Sequence, residues 1–338
     1  MTRISVGNRL AQGRRRFIQA AALGGTSLAA LLIAGHATAQ PYPTATVRLI
    51  IPYTPGGATD IIGRQLAEGL SRRLGQPFIV DNRPGAAGAL GVTATINSPP
   101  DGYTLVLPGS NSVAADPVQE KLPYTPLTDL TPIAPVAAIP YVVFAAPSFA
   151  PNTIAELIAA ARARPGSINF ASSGLGGPPH LASELLRATA QLDVVHVPYR
   201  GAVPAVTDVV GGRVQFMTGD VNTALPFLQS GQLKALATTG RERMALLPNV
   251  PTVAESGLPG FEAEGWFGLF GPARVRPEVV TILARAVDEV VQEPQFKERI
   301  ASFGGRVLRM GHEQFVQYIA AETSKRADLI RANSIALE

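Results

Sequence analysis

Apolar and polar positions recur in one unit along the chain: a short apolar run, a glycine-rich turn, then a stretch with apolar residues three and four apart. The first unit is Val47-Arg48-Leu49-Ile50-Ile51, the turn Thr54-Pro55-Gly56-Gly57-Ala58-Thr59-Asp60, and a helix from about Thr59. Ile62, Leu66, Leu70 and Leu74 fall on one helix face, and Gly75 predicts its end. Phe78-Ile79-Val80 predicts a second strand, followed by the turn 82–88 and another helix. Tyr103 to Leu107 predicts a third strand, ending in Gly109-Ser110-Asn111.

The proline-rich stretch from Leu122 to Pro135 reads as connection, and Tyr141 to Ala145 as a strong strand. Thr153-Ile154-Ala155-Glu156 is a capping box that opens a helix ended by Pro165-Gly166. The unit then repeats: strand Ile168-Asn169-Phe170, turn 171–177, helix from Pro178. Val194 to Val197 and Val214 to Met217 add strands, which lead into Tyr199-Arg200-Gly201 and Thr218-Gly219-Asp220. After Trp266 to Phe270 the pattern turns helical, with Val279, Leu283, Val287 and Val290 on one face and Phe315, Tyr318 and Ile319 on another. Arg306-Val307-Leu308 reads as a short strand between them. Alternation of strand and helix predicts the α/β class with a mostly parallel sheet. Two similar halves and a helical tail suggest a bilobal protein with its ligand between the lobes.

A length of 338 residues suits two domains or one large one, and 46% hydrophobic against 16% charged residues supplies a sizeable core. With no cysteine, the chain has no disulfide scaffold, Cys-ligated metal or thiol nucleophile. The formal charge of +4 invites a nucleic-acid reading, but its distribution removes it. Residues 1–39 hold five of the 29 basic residues and none of the 25 acidic ones, so the rest balances 24 against 25. No nucleic-acid partner is expected.

Those first 39 residues read as an export signal. Arg14-Arg15-Arg16 precedes an apolar run from Phe17 to Ala34, and Ala37-Thr38-Ala39 places cleavage before Gln40. Paired arginines before Phe17-Ile18 fit twin-arginine export; a general secretory signal with an arginine-rich start fits as well. A soluble periplasmic product is expected on either reading.

Enzymatic motifs are missing. His180, His196 and His312 follow the leader without metal-ligand spacing, and G-x-S-x-G, G-x-G-x-x-G and the phosphate-binding G-x-x-x-x-G-K-[ST] do not occur. No cofactor or metal is expected. Ser173, His180 and Asp220 could still assemble into a hydrolase constellation. What the sequence does offer is glycine turns that open helices. Such a turn presents unpaired N–H groups, and the helix start adds about half a positive charge. Gly56-Gly57 in one half and Ser172 to Gly177 in the other could grip two carboxylates of one ligand; each could equally be an ordinary tight turn. Asp60 either organises its loop or meets a ligand amine or hydroxyl. His180 either donates to an anion or holds the Ser turn. Tyr199 either lines a cleft or packs in the core, and Ser110 and Asp220 end strands, where ligand groups or turn-stabilising groups sit. Trp266 reads as a core or lobe-crossing residue rather than a ligand platform.

Together TPGGATD (54–60), DNRPGAAG (81–88), PDGYTL (100–105), ASSGLGGPPHLASELL (171–186), HVPYRG (196–201), LKALATTG (233–240), LPNVPTVAESGLPGFE (247–262) and WFGLFGPA (266–273) carry a resemblance. The chain is similar to the solute receptors of tripartite tricarboxylate transporters, the Bug receptors. The resemblance implies a bilobal periplasmic binding protein of the second type, with two mixed-sheet lobes joined by crossing strands. Lobe 1 would be 40–142 plus 267–338, and lobe 2 143–266. It implies a monomer that delivers a di- or tricarboxylate or an aromatic acid to a membrane carrier, with no chemistry. Carried across, Gly56, Gly57 and Asp60 form one pincer, Ser172, Ser173, Gly176 and His180 the other, and Tyr199, Gly201 and Asp220 fill further cleft positions. Two departures, Gly177 where many members have Ser and Gly219 where many have an aromatic, make room for a larger or aromatic ligand. A ligand sensor for signalling, an amine or cation binder using Asp60 and Asp220, and a Ser/His hydrolase stay open as alternatives.

Overall fold

The computed structural model describes residues 42–114 and 121–335, so the leader expected at 1–39 lies outside the described residues. The chain divides into Met1–Thr44, of which only 42–44 are described, and a body, Ala45–Glu338.

In the body, strands β1 (Val47–Ile51), β2 (Phe78–Asn82) and β3 (Thr104–Val106) are joined through helices α1 (Ala58–Leu74) and α2 (Ala89–Ile96). Such crossovers make the three strands parallel, with β1 in the middle. Ile62, Leu66 and Leu70 are fully buried, and α1 stops at Gly75 in a left-handed turn, as the periodicity predicts. Short helices α3 (Ser110–Val113) and α4 (Pro126–Asp129) lead into the long strand β4 (Leu130–Ala145).

The second half contains helix α5 (Ile154–Ala163), β5 (Asn169–Ser172), α6 (Pro178–Ala190), β6 (Val195–Pro198), α7 (Ala202–Val210), β7 (Phe216–Asp220), α8 (Val221–Gln229) and β8 (Lys234–Thr238). Thr153 caps α5 as expected, its hydroxyl accepting from the Glu156 N–H at 3.1 Å. The chain returns along β9 (Glu264–Pro272) and ends with α9 (Pro277–Val291), α10 (Pro294–Ala301), β10 (Arg306–Val307) and α11 (His312–Ala332). Among the described residues no helix is long and apolar enough to cross a membrane.

Strand β4 belongs to two ladders. Leu130 to Pro140 pair antiparallel with β9, which continues to β3, β1 and β2. Tyr141 to Ala145 pair instead with β7 and β8, and β7 continues to β5 and β6. Thr239 fastens the changeover: its N–H donates to the Tyr141 carbonyl at 2.9 Å, and its hydroxyl accepts from the Tyr141 N–H at 2.8 Å. Each ladder has its own core. Ile50, Val106, Trp266, Phe270 and Phe315 fill the first, and Phe170, Phe216, Leu157 and Leu186 the second. Trp266 is fully buried edge-on to Phe315, which agrees with its reading as a core residue.

One stretch departs from the sequence reading. The proline-rich segment is not all connection, because β4 starts at Leu130 and carries Pro132, Pro135 and Pro140. A proline cannot donate to a ladder and is accommodated at bulges. The β4–β9 register shifts between Pro132 and Ala134 and again between Pro135 and Ala137, and Pro140 falls where β4 changes sheet.

Candidate functional site

The turns that follow β1, β3, β5 and β7 carry the candidate residues, at strand ends where open α/β sheets place ligand groups. After β1 the chain turns through Gly56, whose φ of +87° favours glycine, and enters α1 with no side-chain cap at Gly57. Asp60 is 3% exposed and all its bonds are local. Its carboxylate accepts from the Gly56 N–H (2.9 Å), Arg64 Nε (3.0 Å) and Asn82 Nδ2 (2.8 Å). Burial raises its pKa, but these donors outweigh it and hold the carboxyl below its usual range. Asp60 therefore organises the loop, one of the two roles left open for it.

The turn after β3 is braced by groups that sequence reasoning did not single out. Tyr53 donates to Asn111 Oδ1 (3.0 Å) and accepts from the Gly109 N–H (3.1 Å), while Asn111 Nδ2 donates to the Ala87 carbonyl (3.0 Å). Ser110 does not end a strand: β3 stops at Val106, and Ser110 opens α3 instead.

In the second half, Ser172 is the buried last residue of β5 and faces inward rather than toward a ligand. It bonds His196 Nε2 at 2.7 Å and donates to the Gly174 carbonyl at 3.0 Å, which makes the imidazole the donor to its oxygen. His180, 1% exposed, accepts the Gly176 N–H at Nδ1 (3.0 Å) and stacks on His196 with centroids 4.1 Å apart. It holds the turn. Gly201 donates to the Ser173 carbonyl (3.1 Å), and Tyr199 donates its phenol to Asp208 (2.7 Å). Burial, with Asp208 beside it, pushes the Tyr199 pKa up to about 12. Of the expected second pincer, Ser173 is left half-buried, its hydroxyl without a hydrogen bond among the described residues. Pro178 and Pro179 also remove two of the amides that a helix start would offer.

His180, Glu184 and His196 bring three potential metal-ligand atoms within 4.8 Å of one another. The two rings lie nearly parallel, 18° apart, so their lone pairs do not converge on one ion. Burial pushes the Glu184 carboxyl up, yet His180 and Arg187 outweigh it and hold it low. Burial, with His180 adding to it, lowers His196 to about 4. Since the unfolded ring titrates near 6.5, this contribution to stability is present above pH 6.5 and lost as pH falls toward 4. Unfolding titrations should show a loss of about 3 kcal/mol across that window, and His196→Gln should flatten it. An unchanged profile in the variant would exclude the ring as its source.

Asp220 closes β7 and begins α8 without a side-chain cap bond. Its side chain reaches solvent, yet protein surrounds it in a cavity, and the loss of water holds its carboxyl above the usual range. Gly219 points the other way: a Cβ there would meet Phe144 at 3.2 Å, so its missing side chain relieves the core and does not enlarge the cleft. A Cβ at Gly177 would meet nothing closer than 4.0 Å, and that glycine does border open space.

Two cavities bring the turns of the two sheets face to face. The smaller, about 390 Å³, sets Gly56 and Ala58 at the start of α1 against Asp220 to Thr223 at the start of α8. The larger, about 820 Å³, sets Ala86, Ala87 and Asn111 against Leu175, Gly176 and Gly177. The two glycine turns thus line different cavities; Gly56 faces the α8 start and not the Ser turn. Tyr141, opposite Asp220 in the ladder, borders the smaller cavity and a narrow space of about 80 Å³, which Ser110, Pro178 and Arg326 also line. Burial, with Asp220 beside it, raises its phenol well above the ordinary value, so Tyr141 remains a neutral donor there. Ser173, His180 and Asp220 make no hydrogen bond to one another among the described residues, so the hydrolase constellation is not assembled.

Residues 62–335 match the tripartite tricarboxylate transporter family receptor model. The chain is 35% identical over 316 residues to Protein BugT of Bordetella pertussis, covering 93% of this chain and 97% of the relative. Among solved structures it is similar to R. palustris Rpa4515 with adipate (30% identity, TM-score 0.73, 87% and 99% of the two chains). It is likewise similar to MatC (Rpa3494) from Rhodopseudomonas palustris with bound malate (30%, TM-score 0.69, 86% and 100%). Matched over most of its length in both sequence and fold, the chain belongs to the tripartite tricarboxylate transporter receptor family, of which a solved Bug relative is described as a periplasmic binding protein.

Proposed function

We propose that this protein captures a small organic carboxylate between two lobes in the periplasm and delivers it to the membrane subunits of a tripartite tricarboxylate transporter. One lobe is built on the sheet of β1, β2, β3 and β9, the other on that of β5, β6, β7 and β8. The observation that carries the reading is that two uncapped helix starts, one from each sheet, face each other across one cavity. Their unpaired amides and positive ends favour an anion, and the adipate and malate bound by the two R. palustris relatives support a carboxylate. The lobes close by hinge motion where β4 and the approach to β9 change sheet, at Pro140–Tyr141 and Ala263–Glu264. This reading takes binding, without turnover, as the activity, in keeping with a family of receptors.

Titration calorimetry against mono-, di- and aromatic carboxylates tests this. One acid should bind stoichiometrically, at micromolar affinity worth about 8 kcal/mol; a flat response across the panel overturns the receptor reading. Gly57→Val adds bulk where a Cβ meets only the Thr54 carbonyl at 3.8 Å, so it should fold normally, prop the lobes apart and weaken binding at least tenfold. Ser173→Ala should weaken it less, by the loss of one hydroxyl donor. Wild-type affinity in both variants would remove these turns from the site.

A further inference from the structure

We infer that Asp220 reads a hydrogen-bond donor on the ligand, so that the preferred acids carry a hydroxyl or ammonium group a few atoms from a carboxylate. This rests on the carboxylate-receptor reading and names the ligand class of the smaller cavity.

Two carboxyls stand at the helix starts that face each other there, and they differ in what they meet. Asp60, in the first turn of α1, is spent: Arg64 answers its charge, and Gly56 and Asn82 fill its oxygens. The α1 start therefore keeps its positive end and the uncommitted N–H of Ala58 for an anion. Asp220, at the start of α8, is unspent. Among the described residues its carboxyl meets only its own backbone N–H, and no Lys or Arg is among those that line the cavity. An ionised Asp220 offers acceptors and repels a second carboxylate. A plain dicarboxylate laid between the two starts would set one end against that charge. An acid with an O–H or N–H donor at that end replaces the repulsion with a charge-assisted hydrogen bond.

A neutral donor completes the cavity. Tyr141 is 4% exposed, and its phenol oxygen lies beside Gly265 in the cavity wall, where an added Cβ would collide with it. Among the described residues that hydroxyl has no hydrogen bond. Buried polar groups are ordinarily paired, so an uncommitted one at a cavity wall is matched by whatever enters the space. Asn222 and Thr223 line it too, with side chains equally uncommitted among the described residues. At about 390 Å³ the space lies low in the range of roughly 300–1,000 Å³ typical of small-molecule sites and suits a compact, polar acid.

Titrations of the protein with L-malate, L-aspartate and succinate test the assignment, since the three share a four-carbon diacid frame and differ only in the donor it carries. Malate or aspartate should bind about 10- to 100-fold more tightly than succinate, the worth of one hydrogen bond to a charged acceptor. Asp220→Ala removes no side-chain cap bond and should fold normally. It should bring that ratio to about one and tighten succinate several-fold, because the like charge is gone. A residue that only held its turn would weaken all three acids alike. Asp220→Asn keeps an acceptor without the charge, so it should lower aspartate affinity more than malate affinity. Tyr141→Phe deletes the phenol hydroxyl alone and should weaken all three acids about tenfold with their ratios intact. Succinate binding as tightly as the other two, or wild-type ratios in Asp220→Ala, overturns this inference while the receptor reading stands. Binding by none of the three overturns it as well, and the receptor reading falls with it only when the monocarboxylic and aromatic acids also give a flat response.

Discussion

Replacing His180 by alanine is expected to lower stability by about 3 kcal/mol and to weaken carboxylate binding by tenfold or more. The side chain is 1% exposed, stacked on His196, and supplies the acceptor for the Gly176 N–H. Its removal leaves a void beside Phe170 and a turn whose glycine, at φ +68°, has lost its tether. Stability and binding can be separated. His180→Asn places an acceptor near the former Nδ1, so it should recover much of the affinity while remaining less stable than wild type. Denaturant unfolding and calorimetry on both variants check this. Equal binding by the alanine and asparagine variants would remove the tether from the account and leave only the void.

The second large effect is at Asp60. Asp60→Ala strips the acceptor from Gly56, Arg64 and Asn82 together and should cost about 2–4 kcal/mol. The lower end is favoured because the Arg64 side chain is 54% exposed and rehydrates. The sign of its pH dependence follows from the depressed carboxyl. With a folded pKa below the ordinary 3.8, its stabilisation is complete above that value and drains away as pH falls through the lower one. Acid unfolding should therefore lose this limb in the variant. A wild-type stability for Asp60→Ala would mean that the loop is organised by something else.

Much of this architecture could be read from the chain. Apolar spacing marks α1, and its glycine stop and the capping box at Thr153 hold because they depend on neighbours a few residues away. The extent of β4 was hidden, since prolines normally argue against a central strand and only the partner register reveals that Pro132 and Pro135 sit at bulges. The site was legible by location more than by role. Ser172 and Ser173 look interchangeable in sequence, but strand alternation sends Ser172 into the core beside His196 and leaves the Ser173 hydroxyl without a hydrogen bond among the described residues. Pro178 and Pro179 were visible signals that the Ser turn is a poor amide donor. The partnership of the α1 start with Val221 to Thr223 was not visible, because it depends on how the two sheets bring distant turns together. Arg326 likewise stands 150 residues from Gly176, and no local pattern links them.

Hydrogen exchange in the presence and absence of whichever acid binds most tightly measures directly whether the ligand lies between the two sets of turns. Saturation should slow exchange together at Ala58 to Asp60 and at Val221 to Thr223, and also at Gly174 to Gly177. Protection confined to one of the two sheets, or lying away from these turns altogether, would contradict capture in the cleft.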